Sequence, residues 1–177
     1  MSKKDKGYSL IELLIVVAII LIIAAIAIPN LLRSRMAANE ASAVGSVRTI
    51  NTAAISYNSS YGNGFPSTLA EIGTTSTNAV SCTNAEFLDS VLTAGQKSGY
   101  NFAMVAGASA VANPPTGCTA GYSDGYVVTA KPVTVGTTGQ RSFCSDASGV
   151  IRYNAAGGTP GYTAPLCTDT TILGQGS

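Results

Sequence analysis

A long apolar run near the N-terminus constrains this chain more than any other feature. Residues 8 to 28 read YSLIELLIVVAIILIIAAIAI, and Glu12 is the one charged side chain among them. A helix rises about 1.5 Å per residue, so a run of this length crosses a hydrocarbon core of about 30 Å. Lysines at three of the first six positions predict a cytoplasmic N-terminus and export of everything after Pro29.

Three interpretations of this run compete. A secretory signal peptide would be cut after the small-x-small triplet Ala25-Ile26-Ala27. An uncut anchor explains the length of the run. Neither explains Glu12, because a central acid in a membrane helix costs about 2.5 to 3.5 kcal/mol on translocon scales. The third interpretation is cleavage between Gly7 and Tyr8, which keeps the apolar run on the mature protein and gives it a new α-amine.

The composition excludes several function classes. Histidine is absent, which removes the side chain most often used as general base and metal ligand. Only 11% of residues are charged and the formal net charge is +1, so there is no broad basic face for a nucleic acid. Clustered acids and a phosphate-binding glycine loop are also missing from the sequence. We therefore expect no catalytic residues, no cofactor, no metal and no strong nucleic-acid binding.

The four cysteines indicate an oxidising environment. Cys82, Cys118, Cys144 and Cys167 are widely spaced and contain no CxxC pair, which favours two disulfides over a zinc site. Disulfides persist in oxidising compartments, so this part of the chain should lie in the periplasm or outside the cell. Four cysteines allow three pairings, and their spacing does not choose among them.

After Pro29 the pattern remains helical as far as Gly62. Apolar side chains recur every three or four residues and form one stripe, made of Ala43, Val47, Ile50, Ala54, Tyr57 and Tyr61. From residue 100 onward the period shifts towards two, which predicts an antiparallel meander of about four strands at Tyr100–Met104, Tyr126–Ala130, Arg141–Cys144 and Val150–Tyr153. A helix packed on that sheet gives an α+β head.

Shorter signals complete the head. Residues 65 to 73 predict a short helix stopped by Gly73. The spacing of Thr83 and Glu86 matches a capping box, which predicts a second short helix ending at Gly95. Residues 146 to 149 predict a hairpin turn between the last two strands.

The N-terminal residues resemble a known family. KGYSLIELLIVVAII followed by AAIAIPN is similar to the class III signal of type IV pilins and type II secretion pseudopilins. In this resemblance Gly7 precedes the prepilin-peptidase cut, and Tyr8 becomes the N-methylated first residue. Glu12 is the buried glutamate that meets the N-terminal amine of a neighbouring subunit. Pro29 is the proline that closes the apolar stretch and breaks the helix, whereas Leu21 stands where many pilins have glycine.

The resemblance also implies a fold and partners. The fold is that of type IV pilins, with the apolar half of a long helix protruding and the amphipathic half packed on a four-stranded antiparallel sheet. The partners are further copies of the chain in a helical homopolymer, a prepilin peptidase, an assembly ATPase, inner-membrane platform machinery and a secretin. The likeness favours pairing Cys82 with Cys118 and Cys144 with Cys167, the second bond tying down the tail. Some pseudopilins hold calcium, but Asp124, Asp146 and Asp169 are too dispersed to predict a site.

The leading interpretation is a structural subunit of a type IV pilus filament. It would wait in the inner membrane as a single-pass protein and then enter an extracellular fibre. The predicted parts are a leader at 1–7, a transmembrane and filament-core helix at 8–29, and a head at 30–177. Two alternatives share the same N-terminus: a pseudopilin of a type II secretion system, and a minor or competence pilin whose head binds a ligand.

Overall fold

A computed structural model describes residues 9–74, 80–118, 121, 124–169 and 171–174. Three helices come first in the chain, α1 (Leu10–Tyr61), α2 (Leu69–Ile72) and α3 (Ser90–Thr93). Eight strands follow: β1 (Gln96–Lys97), β2 (Tyr100–Ala106), β3 (Tyr126–Pro132), β4 (Ser142–Asp146), β5 (Ile151–Asn154), β6 (Tyr162–Thr163), β7 (Leu166–Cys167) and β8 (Thr171–Ile172). The chain divides into two compact units, whose border lies between Arg35 and Met36.

The first unit contains the N-terminal part of α1. This helix continues through Pro29, so the expectation that Pro29 breaks it is wrong for this structure. Proline removes one backbone N–H and with it one hydrogen bond of the helical ladder, while the bonds on both sides remain. Leucine, a good helix former, replaces glycine at position 21 and favours the same continuity.

The second unit is organised around the amphipathic part of α1. The predicted stripe is confirmed, since Ala43, Val47, Ile50 and Ala54 are fully buried and Tyr57 is almost so. Their partners are side chains of the sheet: Tyr100, Phe102, Tyr126, Val128, Ala130, Phe143 and Ile151. The 3.6-residue period of the helix and the two-residue period of the strands thus meet in one core.

The sheet confirms the predicted meander and extends it. Strands β2, β3, β4 and β5 pair antiparallel with their neighbours, with Phe102 opposite Ala130 and Phe143 opposite Tyr153. The two-residue strands β1 and β8 add to the edges, so the full order is β1-β2-β3-β4-β5-β8. The hairpin turn after β4 is also confirmed, because the Gly149 N–H donates to the Asp146 carbonyl.

The centre of the sheet is covered on both faces. Every residue of β4 is buried, and so is every residue of β3 except Lys131. One face lies against α1. On the other face Val127 and Cys144 pack with Cys167 of the separate β6–β7 hairpin, which the Cys144–Cys167 disulfide holds in place. Strands buried on both faces lose their alternation of polar and apolar residues, which is why these runs read as continuously apolar or small.

The two short helices differ in how well sequence predicted them. Helix α2 begins after Thr68, whose side chain accepts from the Glu71 N–H, and it ends at Gly73 as expected. The capping box at Thr83 and Glu86 is wrong, because Glu86 has a left-handed φ of 56° and α3 is instead capped by Asp89. The segment before α3 pairs its backbone with α2, the Phe87 N–H donating to the Ile72 carbonyl at 2.9 Å. This backbone pairing with α2 takes the place of the predicted capping box at Thr83 and Glu86.

Backbone segments approach closely beside α1. A Cβ on Gly121 would collide with the Asn63 and Phe65 carbonyls, so glycine is needed there. The nearby Cys82–Cys118 disulfide, with Cα atoms 5.4 Å apart, ties the segment before α3 to the loop that contains Gly121.

Candidate functional site: the N-terminal helix and its attachment to the head

Glu12 lies in the first turn of α1 and is exposed together with its apolar neighbours. The Leu13 N–H donates to the Ser9 carbonyl at 3.2 Å, so helical hydrogen bonding begins at the first described residue. Gly7 and Tyr8, the expected cleavage and methylation residues, lie outside the described residues. Between Ser9 and Glu40, Glu12 is the one acidic residue.

The apolar segment that follows Glu12 is not covered by protein. Every large apolar side chain from Leu10 to Leu32 is exposed, between 41% at Leu32 and 79% at Leu10. The helix is long and apolar enough to cross a membrane, judged by length and composition. Soluble proteins rarely leave an apolar surface of this size open, so either lipid or other protein chains must cover it.

Glu40 attaches the second part of α1 to the sheet. Its Oε1 accepts from the backbone N–H groups of Gln140 and Arg141, at 2.8 and 3.0 Å. Its Oε2 accepts from Nε of Arg141 at 2.8 Å and lies 2.7 Å from Nη2 in an ion pair. A single carboxylate therefore fixes both the backbone before β4 and the guanidinium beside it, across about a hundred residues of sequence.

Aromatic rings hold the Arg141 side chain in position. Its guanidinium carbon lies 5.6 Å from the ring centre of Phe143 and 5.2 Å from that of Tyr153. Both distances are within the range of cation–π attraction. Burial raises the pKa of Glu40, but the hydrogen bonds from Gln140 and Arg141 outweigh it and hold that pKa below its usual value. Glu40 is thus an ionised, fully bonded carboxylate in the folded head.

A second set of polar contacts joins α1 to the sheet and to the segment before α3. The Asn51 amide donates to Ser145 Oγ at 2.8 Å, and that hydroxyl donates to the Val150 carbonyl at 3.0 Å. Tyr57 donates its hydroxyl to the Cys82 carbonyl at 2.7 Å. Buried polar groups must be paired, and these pairs fix the rotation and register of the helix on the sheet.

The dispersed acids are used locally. Asp124 accepts from the Ala108 and Ser109 N–H groups, which lower its pKa. Asp146 accepts from the Cys167 N–H at 3.1 Å, and Asp169 from the Gly161 N–H at 3.0 Å. Each carboxylate closes a turn or joins a strand.

Among the described residues, one group of three possible metal ligands comes together: Cys144, Cys167 and Asp169. Both sulfurs are joined in a disulfide, so neither is available as a thiolate ligand.

The comparisons with known proteins bear on the N-terminal segment. The family described as the prokaryotic N-terminal methylation motif matches residues 2–28. A stretch of 38 residues is 60% identical to the type IV wide pilus major component PilA4 of Thermus thermophilus. The N-terminal segment of this chain is thus similar to that of type IV pilins. The stretch is 22% of this chain and 29% of that pilin, so less than a third of the relative is spanned. No solved structure matches the chain.

The structure brings together some of the residues that the sequence singled out and not others. The two disulfides have the favoured pairing, Cys82 with Cys118 and Cys144 with Cys167. Glu12 and Pro29 lie on the same helix, 17 residues apart in the sequence.

Sequence reasoning missed the contact between Glu40 and Arg141. Neither residue belongs to a motif, and their separation of 101 positions gives no periodic signal. A charged residue beside the apolar stripe was the one available hint.

Proposed function

We propose that this chain is a structural subunit of a type IV pilus filament. Cleavage between Gly7 and Tyr8 and methylation of the new Tyr8 amine would leave residues 8–29 as the membrane and filament-core helix. The single observation that carries the proposal is the exposed apolar helix with one acid near its tip. The 38-residue match to a pilus major component favours a filament subunit.

The apolar surface needs a cover in two environments. Before assembly, the hydrocarbon of the inner membrane would cover residues 10–32, with the N-terminus in the cytoplasm. In an extracellular fibre, the same side chains would be covered by the helices of other copies. Repeated head-to-tail contacts between identical subunits give an open helical polymer, as a filament requires.

Glu12 gives that polymer its axial register. A carboxylate buried among apolar helices is costly unless it is paired, and the freed N-terminal amine of a neighbouring copy is the complementary charge. An apolar surface alone permits sliding, because its attraction has no direction. An ion pair within that surface stabilises one register and penalises the others.

The decisive experiment replaces Glu12 with alanine in the full-length chain. Glu12→Ala should insert into the membrane normally but yield few or no surface filaments. Leu13→Ala is the matched control, because it truncates the adjacent side chain, which is also exposed, without removing a charge. Normal filament yield from Glu12→Ala would refute the role of the acid.

Filaments sheared from cells test the remaining parts of the proposal. Mass spectrometry of the subunit should show a chain that begins at Tyr8 and carries one additional methyl group. A new N-terminus at Ile28 would show that the run is a signal peptide. A chain processed at Tyr8 that never enters long surface fibres, but is needed for release of secreted proteins, would show a pseudopilin.

The partners follow from the same proposal. A prepilin peptidase would cut and methylate the chain, an assembly ATPase and platform protein would extract it from the inner membrane, and a secretin would pass the fibre in a two-membrane cell. The chain itself would have a structural role, with no cofactor and no catalytic residues.

A further inference from the structure

An exposed surface beside α3 combines two acids with two apolar side chains. We call Glu86, Phe87, Asp89 and Val91 the acidic surface. Phe87 is 38% exposed and Val91 51% exposed, and both acids are exposed as well. Phe87 also packs against the end of α1, where its ring centre lies 6.4 Å from that of Tyr61, while part of its side chain stays open to solvent.

The acids of the acidic surface form no ion pair among the described residues. In the part of the chain that the structure describes, the one ion pair joins Glu40 to Arg141, far from this surface in the sequence. Asp89 uses Oδ1 to accept from the Val91 and Leu92 N–H groups, which leaves Oδ2 available. The side chain of Glu86 makes no hydrogen bond within the described residues, and the residue is exposed with a left-handed φ of 56°.

A complementary surface lies on α1 where the apolar run ends. Ile28, Leu31, Leu32 and Arg35 line one shallow concavity of the helix. Together with the adjacent Arg33 they form what we call the basic surface. The three apolar side chains are 41% to 65% exposed, and both arginines are exposed. The two surfaces thus match in composition, each having apolar side chains and two charges, of opposite sign.

We propose that the acidic surface of one molecule binds the basic surface of a second copy of this chain. The inference rests on the proposed function, because a filament is the setting in which α1 of one copy reaches the head of another. Contact between Phe87 or Val91 and the leucines of the basic surface would remove apolar area from water. The opposite charges would select the partner and its register, and reject misplaced copies.

Charge reversal separates this contact from other roles of the arginines. Arg35→Glu places like charges opposite each other and should lower filament yield about tenfold or more, with membrane insertion unchanged. Glu86→Arg should do the same. The double variant Arg35→Glu/Glu86→Arg restores the attraction and should recover most of the yield. Lys131→Glu is the control for the change in net charge, because Lys131 is exposed on β3, and it should assemble normally.

Each outcome of the charge series decides something. Failure of the double variant to recover, with both single variants defective, would show that Arg35 serves another partner such as lipid headgroups, and would overturn the proposal. Normal assembly of both single variants would overturn it as well. If wild-type chain is absent from surface filaments, the proposed function falls and this inference falls with it.

Cysteine cross-linking tests the geometry directly. Filaments from Arg35→Cys/Glu86→Cys should give a ladder of covalent multimers on non-reducing gels that collapses on reduction. The matched control is Arg35→Cys/Lys131→Cys, which should stay monomeric and which also reports any exchange with the native disulfides. Intact filaments without a ladder from the first variant would place the two surfaces apart and refute the contact.

Discussion

Removal of the Glu40 carboxylate should loosen the attachment of α1 to the sheet. In the folded head this group accepts three hydrogen bonds, two from backbone N–H groups and one from Nε of Arg141, and it forms an ion pair with Nη2 of the same guanidinium. Glu40→Ala leaves the three donors without their acceptor and the Arg141 guanidinium without its ion-pair partner. Glu40→Gln keeps the shape of the side chain and one acceptor oxygen but loses the charge, so it separates electrostatics from packing.

The expected loss of unfolding free energy depends on how exposed Glu40 and Arg141 are. Removing one partner of a buried ion pair costs about 3 to 5 kcal/mol, because the other charge stays buried without compensation. The Glu40 side chain is 11% exposed, but that of Arg141 is 38% exposed and can be hydrated. We therefore expect the lower end, a loss of about 3 kcal/mol for Glu40→Ala. For Glu40→Gln we expect about 1.5 kcal/mol, since part of the hydrogen bonding persists.

Urea unfolding of the full chain in detergent micelles, with both disulfides intact, measures these losses. The chain has eight tyrosines and no tryptophan, so near-ultraviolet circular dichroism of tyrosine reports the packing of the head. Arg48→Met is the matched control. Arg48 is an exposed cation on the same helix, without an ion pair among the described residues, and its loss should change the free energy of unfolding by less than about 0.5 kcal/mol.

Acid pH provides a second measurement of the same contact. The pKa of Glu40 is lower in the folded head than its ordinary value of 4.5, so its stabilisation is fully present above that value. It is lost as pH falls through the lower, folded pKa. The difference in unfolding free energy between wild type and Glu40→Gln should therefore be constant near neutral pH and shrink below about pH 4.5. A difference under 0.5 kcal/mol at pH 7, or one that does not change with pH, would refute this reasoning.

Two further predictions concern the effect of glycine substitutions on stability and the ionisation of buried tyrosines at alkaline pH. Gly121→Ala should lower the free energy of unfolding by about 1 to 3 kcal/mol, because a Cβ meets backbone carbonyls that cannot rotate away. Gly45 lies in open space on the exposed side of α1, so Gly45→Ala should raise the free energy of unfolding by about 0.5 to 1 kcal/mol. Both variants can be measured in one urea series, and changes of the same sign would contradict this prediction. Burial raises the pKa of Tyr57, Tyr100 and Tyr126, so their contribution is complete below a pH of about 10 and declines above it. Absorbance titration should show these tyrosines ionising only as the head unfolds, and early titration of all eight would contradict their burial.

The amino-acid sequence by itself determined the elements whose causes are local. A 21-residue apolar run can form only a helix that needs lipid or protein around it, and a three-to-four spacing from Ala43 to Tyr57 can bury only one face. Period-two runs bounded by glycine, proline and Asx residues gave the four long strands. The methylation-type motif at residues 2–28 needs no tertiary information either, because it is a pattern of consecutive residues.

Tertiary structure decided everything that depends on two distant parts of the chain. The helix α3 begins at Asp89 and not after Thr83, because backbone pairing with α2 competes with a local capping box and wins. The ion pair of Glu40 and Arg141 joins residues about a hundred positions apart, and the β1 and β8 edges form only where a neighbouring strand already exists. Local propensity acts within a few residues, whereas these contacts depend on which surfaces the finished fold brings together, and no periodicity along the chain records that.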